Sequence, residues 1–398
     1  MNLNAKNLTF LFLSLVLFCQ RSEAQTPRVF LLDAEKLAEA KRKILAGDKT
    51  YNQALEKLKT SADEALKAEN YAVVNKQGTP PSGDKHDYMS QAPYFWANPK
   101  TPNGLPYIRR DGERNPEIKK YPDHENLDKM VDAVQTLALA FYFTGDESYA
   151  AKAAQQLRVW FVEPASRMNP NMQFAQAVPG ESTGRVYGVL ESRGLTRVID
   201  SAGLLENSKS FAKTDRAAIE NWFTQFLNWL TTSENGRGEG ETKNNHGTLY
   251  DVQVVSYALY TGKKDFAKQV LETAKQKRIA SQIEPDGRQP LELERTKSWS
   301  YSTMNLEGLM RLARLGESRG VDLWNFETRD GRGIRRAIEY LYPFSVGDKK
   351  WEYQQIEGWE PNRLFPLMHL AAAKYKDEKF KAMLAKIPPG EIDLKENF

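Results

Sequence analysis

Two short polar segments contain the side chains best suited to acid–base chemistry. Asn245 and His246 stand in the run Lys-Asn-Asn-His-Gly, and Arg295 and Tyr301 stand in a second segment at 289–302. An amide and a guanidinium can neutralise an anion, an imidazole is the natural base near neutral pH, and a phenol can transfer a proton. We expect Arg295 and His246 to lower the pKa of Tyr301. The set suits removal of a proton α to a carboxylate, with loss of a group on the next carbon.

The same residue types also have ordinary structural interpretations. An asparagine at a helix start is often an N-cap, because its side chain accepts hydrogen bonds from free backbone donors. An arginine near a tyrosine is frequently a packing pair. We interpret His124 and His369 as structural, whereas His86 lies in a long polar segment at 76–122 and can line a binding site.

Aromatic and basic residues near these segments suggest how a sugar chain would be bound. Tyr94, Trp96, Tyr107 and Trp299 are predicted to stack on sugar rings, because aromatic faces suit the C–H surfaces of sugars. Arg185 is predicted to add a cationic binding position. The alternative for the aromatic residues is that they anchor loops in the core, and for Arg185 it is capping of the helix that follows.

Helical periodicity dominates the elements that must position these residues. Apolar side chains recur at spacings of three and four, and Gly and Asp separate the periodic segments. The predicted helices are 34–46, 50–68, 125–144, 147–161, 186–203, 214–231, 247–261, 263–277, 303–318, 332–342 and 362–374. Three polar segments rich in aromatic residues interrupt them, and we expect these to be loops over one end of the scaffold: 76–122, 232–246 and 281–302.

Successive helix hairpins predict an all-α fold. The expected architecture is an α/α toroid, an incomplete α/α barrel of helix hairpins, whose long loops form a cleft. Loops are where binding and catalytic residues concentrate. The alternative is an open α-solenoid, which the long interrupting loops suit less well than they suit a lined cleft. Because no low-complexity linker divides the chain, residues 25–398 are predicted to form one domain.

The first 24 residues have the pattern of a signal peptide. Lys6 supplies the positive charge, residues 8–18 form an apolar run too short to span a bilayer, and Ser-Glu-Ala at 22–24 is a small-x-small cleavage site. The prediction is a periplasmic or secreted protein, with a lipoprotein anchored through Cys19 as the alternative. Since Cys19 is the only cysteine, cleavage after Ala24 would leave no thiol for a disulfide, a metal site or a nucleophile.

Composition limits the classes of partner. The 56 basic and 52 acidic residues give a net charge of +4 without a long basic block, which argues against nucleic acid and suits a polyanionic substrate. No second apolar run approaches the length of a membrane span. The four histidines lie far apart, and calcium loops, phosphate-binding glycine loops and Gly-x-Ser-x-Gly are not found. We therefore expect no metal and no cofactor, and an anionic polysaccharide as the partner.

Taken in order, the polar segments resemble the alginate-lyase family of toroidal polysaccharide lyases. Asn-Asn-His-Gly at 244–247 is similar to the family's Asn-His pair, and Arg-Thr-x-Ser-x-x-Tyr at 295–301 is similar to its Arg and Tyr segment. Asp-Tyr-x-Ser-x-Ala-Pro-Tyr-x-Trp at 87–96, together with Gly-Leu-Pro-Tyr at 104–107 and the Asp-Gly that follows it, is similar to the family's N-terminal loop signature. The resemblance extends from about 80 to about 315.

The resemblance implies a lyase that cleaves a uronic-acid polysaccharide by β-elimination, with alginate rich in mannuronate as the expected substrate. It implies Asn245, His246, Arg295 and Tyr301 as catalytic residues. Arg295 and Tyr301 are one residue closer together than the corresponding pair of the classic alginate lyases. Glucuronan or another uronan is therefore an alternative substrate on the same scaffold.

Two other classes of function are compatible with a helical barrel. An α/α-barrel glycoside hydrolase would need two carboxylates as acid and base, and the candidates are Asp123, Glu125, Glu292 and Glu294. That reading leaves the Asn-His pair and the Arg–Tyr segment without a role. A glycan-binding protein without activity is the third class, and the presence of all four candidate catalytic residues argues against it.

Overall fold

The computed structural model describes residues 26–390 and 392–395, so the predicted signal peptide and Cys19 lie outside the described residues. No helix in this part is both long enough and apolar enough to cross a membrane. Its α-helices are α1 (Ala34–Leu45), α2 (Lys49–Lys67), α3 (Asp123–Thr144), α4 (Glu147–Phe161), α5 (Leu195–Leu204), α6 (Lys213–Thr232), α7 (Glu234–Glu241), α8 (Asn245–Tyr260), α9 (Lys264–Ala274), α10 (Pro290–Leu293), α11 (Ser298–Glu317), α12 (Ile334–Ser345), α13 (Phe365–Tyr375) and α14 (Glu378–Leu384).

Short turns fold consecutive helices back on each other. Gly145 ends α3 in the left-handed region with φ of 75°, and the Asp146 side chain then caps α4 by accepting a hydrogen bond from the Ser148 amide at 2.8 Å. Gly262, with φ of 76°, has the same position between α8 and α9. A glycine adopts this backbone conformation without steric cost, which is why it is favoured after a helix C-terminus. The result is antiparallel packing of α3 on α4 and of α8 on α9.

The helices separate into central and peripheral ones by burial. In α8 all residues but the second are buried, and α8 packs against α5, α6, α7, α9 and α11. The peripheral α9 buries one face only, formed by Ala267, Leu271 and Ala274. Helices make up 59% of the described residues and strands 4%. The predicted all-α toroid is confirmed, with inner helices covered by outer ones.

Four short strands organise the first long loop. Strand β1 (Met89–Gln91) pairs in parallel with β4 (Phe174–Ala177), and β2 (Phe95–Trp96) pairs antiparallel with β3 (Ile108–Arg109). The loop at 76–122 is therefore paired with the segment that follows α4 and with itself.

The start of α11 differs from the sequence prediction, and the difference places a key residue on a helix. The helix begins at Ser298 rather than at 303, so Tyr301 lies in its first turn. The first backbone donors of α11 are satisfied from distant chain: the Ser298 amide donates to the Gln354 carbonyl and the Trp299 amide donates to the Gln355 side chain, each at 3.1 Å. Local periodicity contains no signal for such long-range capping.

Two other boundaries differ for local reasons. The predicted helix at 186–203 begins as a 3-10 helix, Val186–Gly194, before α5 continues it. Helix α7 lies inside the segment 232–246 that was predicted to be a loop. Its side-chain N-cap is Ser233, which accepts a hydrogen bond from the Gly236 amide at 3.0 Å.

Candidate active site

The first turn of α8 carries Asn245 and His246. The N-cap is the preceding residue, Asn244, whose side-chain oxygen accepts a hydrogen bond from the His246 amide at 3.2 Å. Asn245 is consequently the first helical residue, and its side-chain amide does not cap the helix. The capping interpretation of the Asn-Asn-His run therefore applies to Asn244 alone.

Asn245 is held by a buried carboxylate from the second polar segment. Its backbone amide donates to Glu292 Oε1 at 2.6 Å and its Nδ2 donates to Glu292 Oε2 at 2.7 Å. Burial raises the pKa of Glu292, although the two hydrogen bonds from Asn245 act in the opposite direction. Asn245 has no exposed surface, so a substrate can contact it only after the side chains that cover it have moved.

His246 is oriented by a second buried carboxylate. Its Nδ1 lies 2.8 Å from Oε1 of Glu239, whose side chain has no exposed surface. A carboxylate at this distance favours the tautomer with hydrogen on Nδ1, which leaves Nε2 free to accept a proton. The Tyr187 ring packs edge-on against the imidazole, with ring centroids 5.1 Å apart. The arrangement orients the imidazole and leaves one ring nitrogen able to accept a proton.

Gly247 completes the motif for a steric reason. A Cβ at this position would lie 2.2 Å from the Thr242 carbonyl oxygen and 2.3 Å from Nη1 of Arg278. Arg278 is fully buried, and its Nη1 donates to the Thr242 carbonyl at 2.7 Å. The close approach of this guanidinium to the turn between α7 and α8 therefore requires a residue without a side chain at position 247.

The Arg–Tyr segment meets the first loop. The Tyr301 hydroxyl lies 3.0 Å from the Tyr94 hydroxyl, and the Arg295 guanidinium lies 4.1 Å from the centroid of the Tyr301 ring. Arg295 forms a bidentate ion pair with Asp111, at 2.8 and 3.1 Å. These contacts join four residues of distant segments into one contiguous group: Tyr94, Asp111, Arg295 and Tyr301.

The protonation of this group differs from expectation. Burial raises the pKa of Tyr301, the hydrogen bond with Tyr94 raises it further, and together they outweigh the Arg295 charge. The expectation that Arg295 and His246 lower the pKa of Tyr301 below its ordinary value is wrong for the free protein. The Arg295 charge acts in the expected direction, but burial and the hydrogen bond with Tyr94 outweigh it, and His246 is bonded to a carboxylate. Although burial works to raise it, the pairing with Arg295 holds the pKa of Asp111 below its ordinary value.

Glu292 links the two groups. It holds Asn245, the residue before His246, through two hydrogen bonds, and it lies three residues before Arg295 in the chain. The charges of His246 and Arg295 act against the burial that raises the pKa of Glu292. The four residues that the sequence indicated as catalytic are therefore gathered in one region of the protein.

Arg185 extends this region as a cation with neutral partners. Its Nη2 donates to the Gln176 side chain at 2.7 Å, and its guanidinium lies 4.8 Å from the Phe95 ring and 5.2 Å from the Tyr187 ring. Tyr187 in turn contacts His246. The Arg185 side chain makes no capping hydrogen bond to the 3-10 helix after it, so the capping alternative does not apply.

Trp96 and Tyr107 are partly buried and also serve the loop that carries them. Trp96 Nε1 donates to the Glu113 carbonyl at 2.9 Å, and the Tyr107 hydroxyl donates to Glu117 at 2.6 Å. The Arg110 guanidinium lies 5.2 Å from the Trp96 ring centroid. Both rings are anchored by hydrogen bonds, which fixes the orientation of whatever surface they present.

Trp299 does not face a substrate, and the stacking role predicted for it is wrong. The side chain is fully buried, its Nε1 donates to the Glu360 carbonyl at 2.8 Å, and its ring packs 5.1 Å from Trp351 and 4.8 Å from Trp359. The long-range contacts that cap α11 also enclose this ring. The accessible ring of the cluster is Trp359, which is 45% exposed.

The carboxylates considered for hydrolysis do not form an acid–base pair. Asp123 is fully buried and paired with a buried lysine at 2.6 Å, and Glu125 pairs with a surface lysine on its own helix at 2.6 Å. Glu292 is buried against Asn245, whereas Glu294 is exposed.

His86 contacts a backbone carbonyl, and a metal site is not found among the described residues. His86 is partly buried and its Nδ1 lies 2.6 Å from the Arg167 carbonyl oxygen, which fixes the base of the first loop. Among residues 26–390 and 392–395, no group of three or more His, Cys, Asp and Glu side chains is arranged to hold a metal ion.

Several functional partners were missed from the sequence. Glu239, Asp111 and Tyr187 were not singled out, and Glu292 was considered only as a hydrolytic acid. Asp111 and Glu292 stand inside the recognised motifs, so their charge was a usable signal. Glu239 lies seven residues before His246 across a turn, and only the folded geometry shows that the two side chains meet.

Comparison with known proteins gives a consistent result. The model of the family described as alginate lyase matches residues 72–351. The crystal structure of an alginate lyase from Bacteroides ovatus is 40% identical in sequence, with a TM-score of 0.88, over 93% of this chain and 98% of that one. Alginate lyase A1-III in complex with a tetrasaccharide is 14% identical, with a TM-score of 0.57 over 95% of each chain, which indicates a shared fold alone. No curated protein matches the chain significantly.

Proposed function

Because the chain belongs to the alginate lyase family and is a polysaccharide lyase, we propose that it cleaves alginate rich in mannuronate by β-elimination. The products would be oligosaccharides with an unsaturated uronate at the new end. The observation that supports this proposal is the gathering of Arg295 and Tyr301 with Asn245 and His246 in one region. These groups can neutralise a carboxylate, take a proton and give one.

The carboxylate must be neutralised first. Removing the C5 proton of a uronate places additional negative charge on the adjoining carboxylate, so fixed donors and cations lower the barrier. Arg295 and Arg185 are the cations of the site, and Arg185 has only neutral hydrogen-bonding partners in the free protein. We assign carboxylate binding to Arg295 and Asn245, with Asn245 engaged after the side chains that cover it have moved.

Proton transfer is assigned to Tyr301. In mannuronate the C5 hydrogen and the C4 oxygen lie on the same side of the ring, so one residue can remove the proton and deliver it to O4. Because the pKa of Tyr301 is raised in the free protein, the tyrosine starts protonated and must lose that proton before it can act as base. The Arg295 guanidinium, 4.1 Å from the centroid of the Tyr301 ring, is positioned to stabilise the phenolate, whereas the hydrogen bond with Tyr94 favours the protonated phenol in the free protein.

A second activity, on guluronate, is favoured by one specific observation. In guluronate the C5 hydrogen and the C4 oxygen lie on opposite sides, so separate residues must act as base and acid. His246 has its Nδ1 engaged by Glu239, which leaves Nε2 as the base, and a protonated Tyr301 suits the acid. This route needs no prior loss of the Tyr301 proton.

A substrate panel tests the proposal. Purified protein would be incubated with mannuronan, guluronan, glucuronan and glycosaminoglycans while ultraviolet absorbance is followed. Elimination creates a conjugated C4=C5 uronate that absorbs, and hydrolysis does not. We expect the fastest rise with mannuronan and a slower one with guluronan. A faster rise with glucuronan would reassign the substrate, and release of reducing ends without absorbance would contradict a lyase.

We also propose export with cleavage after Ala24, from the pattern of Lys6, the apolar run and the Ser-Glu-Ala site. Intact-mass analysis of protein from the periplasm or the medium measures the new N-terminus, which is expected at Gln25. A diacylated species attached at Cys19 would show that the protein is a lipoprotein.

A further inference from the structure

Helix α9 continues into an unusual turn that carries a buried arginine. Residues Lys275–Ala280 form a π-helical turn, a feature that is rare and often found beside functional sites. It directs Arg278 into the protein, where the side chain has no exposed surface. A guanidinium removed from water in this way is stable only when hydrogen-bond acceptors and a counter-charge surround it.

The hydrogen-bond acceptors around Arg278 come from α7, from α8 and from the turn between them, which together hold Glu239 and His246. Nε and Nη2 form a bidentate pair with Asp251 of α8 at 2.7 and 3.0 Å. Nη2 also donates to the Gly240 carbonyl, and Nη1 donates to the Thr242 carbonyl, each at 2.7 Å. The two carbonyls belong to the C-terminal end of α7 and the turn after it, where backbone acceptors have no partner within the helix.

We propose that Arg278 is a positioning residue for the catalytic base. Gly240 directly follows Glu239, and Thr242 stands two residues before the N-cap of α8. By fixing both carbonyls against Asp251, Arg278 sets the relative position of α7 and α8 and so the 2.8 Å contact between Glu239 and His246. The proposal rests on the function proposed above, in which His246 Nε2 accepts a proton.

Gly247 provides an independent way to disturb the same contact. An added Cβ would lie 2.2 Å from the Thr242 carbonyl oxygen and 2.3 Å from Nη1 of Arg278, so Gly247→Ala must push the guanidinium and this carbonyl apart without removing the arginine. Arg278→Lys instead keeps the positive charge but removes the planar guanidinium that bonds to the Gly240 and Thr242 carbonyls and to the Asp251 carboxylate at the same time. The two variants disturb the geometry from opposite sides, and we expect them to have the same functional consequence.

The kinetic test compares these variants with a matched control. Arg314 is also largely buried and ion-paired, with Asp33 at 3.2 Å, but it lies towards the C-terminal end of α11. We expect Arg278→Lys and Gly247→Ala to lower kcat by about 10-fold or more with KM changed by less than about 3-fold, the scale of a misplaced catalytic group. Arg314→Lys is expected to lower Tm as well, but to leave kcat within about 2-fold. Equal kcat in all three folded variants would overturn the proposal.

A spectroscopic readout separates positioning from general destabilisation. The chain has four histidines, so selectively ¹⁵N-labelled imidazoles give few signals. In the parent protein we expect His246 to be the Nδ1-protonated tautomer, and in both variants its signals alone should shift towards the mixture of a free imidazole. An unchanged His246 signal in either folded variant contradicts the positioning role proposed for Arg278. If Arg278→Lys does not fold, Gly247→Ala decides alone.

The spectroscopic arm also separates two kinds of failure. If the parent protein is inactive on every uronan, the proposed function fails, yet the histidine signals still report whether Arg278 fixes the tautomer. If activity is present and the variants retain both kcat and the His246 signal, the lyase assignment remains and only the positioning role is lost.

Discussion

The two sides of the site are constructed in different ways. On the α8 side, Glu239 and Glu292 are almost completely buried, and each is committed to one residue of the Asn-His pair. On the loop side, Arg295 and Asp111 form an ion pair whose side chains keep 16% and 21% of their surface exposed. The α8 side orients its groups through buried contacts, and the loop side does so through contacts that water reaches.

This difference indicates which side fixes the positions of the site residues and which side presents its charges to an anionic substrate. Breaking a buried contact leaves an unpaired polar group and is costly, so the α8 side holds its position. A partly exposed ion pair contributes much less to stability, so the loop side keeps cations where a substrate can approach them. We therefore expect changes on the α8 side to alter kcat and changes on the loop side to alter KM, with one exception.

That exception is Tyr301, for which we expect the largest effect. Tyr301→Phe should lower activity on every substrate by about 100-fold or more, the scale of losing general acid–base catalysis. The fold should survive, because only a hydroxyl is removed. Tyr340→Phe is the matched control, since its hydroxyl also faces another tyrosine hydroxyl, that of Tyr353 at 3.4 Å, and neither residue is assigned a catalytic role.

Steady-state rates and circular dichroism of both tyrosine variants measure this prediction. If folded Tyr301→Phe keeps near-normal turnover, Tyr301 is not the proton donor. Tyr94, whose hydroxyl is its partner at 3.0 Å, would be the next residue to test, followed by Tyr107.

A smaller effect is expected at Asp111, and it depends on pH. The pKa of this carboxyl is below its ordinary value of 3.8, so its stabilising effect is present above that value and is lost as the pH falls through the lowered pKa. Asp111→Asn should lower Tm at neutral pH by about 1–3 °C, as for a partly exposed pair. It should also lower KM, because Arg295 loses its counter-charge.

Thermal unfolding of the parent and of Asp111→Asn between acidic and neutral pH measures the first part. The difference in Tm should be constant above about pH 5 and should shrink below pH 3.8. A difference that grows on acidification would have the wrong sign for a carboxyl with a lowered pKa. An increase in KM would mean that Asp111 itself assists binding.

The same comparison explains what could be predicted from the sequence. Residues that act through their own chemistry, such as His246 and Tyr301, were identifiable because their types match the reaction and because their segments resemble a family. The longer helices were identifiable from periodicity, whereas the short helices α7, α10 and α14 were not predicted. Both are local signals, and the α8 side is largely made of them: the N-cap, the Asn-His pair and the glycine are consecutive.

Residues that act through distant partners were predicted poorly. Trp299 was expected to stack on sugar, but the chain near 354–360 covers it and caps α11. The pKa of Tyr301 was expected to fall, but burial and Tyr94 raise it, and neither is visible in the spacing of one segment. Glu239 needed the fold to show its contact with His246.

The correction for Trp299 gives a weaker prediction at the edge of the loop side. The Trp359 ring packs at an angle of 46° against the buried Trp299 ring and keeps 45% of its surface exposed. Trp359→Ala should raise KM on long chains by about 3-fold, a typical loss for one aromatic contact, with kcat unchanged. Leu45→Ala, at the exposed end of α1, is the control. An equal KM for long and short oligosaccharides in Trp359→Ala would argue against sugar contact there.

The smallest expected effect on activity is that of a chelator. This prediction depends on carboxylates from both the α8 side and the loop side. The three carboxylates of the site are committed to protein donors: Glu292 to Asn245, Glu239 to His246 and Asp111 to Arg295. Neutralisation of the substrate is assigned to guanidinium and amide groups, so a divalent ion has no step to assist. Activity after dialysis against EDTA should equal that of the untreated protein, at low and at saturating substrate. A loss that calcium or another divalent ion restores would show that one of these carboxylates exchanges its protein partner for a metal, and Asp111, the most exposed of the three, would be the first to examine.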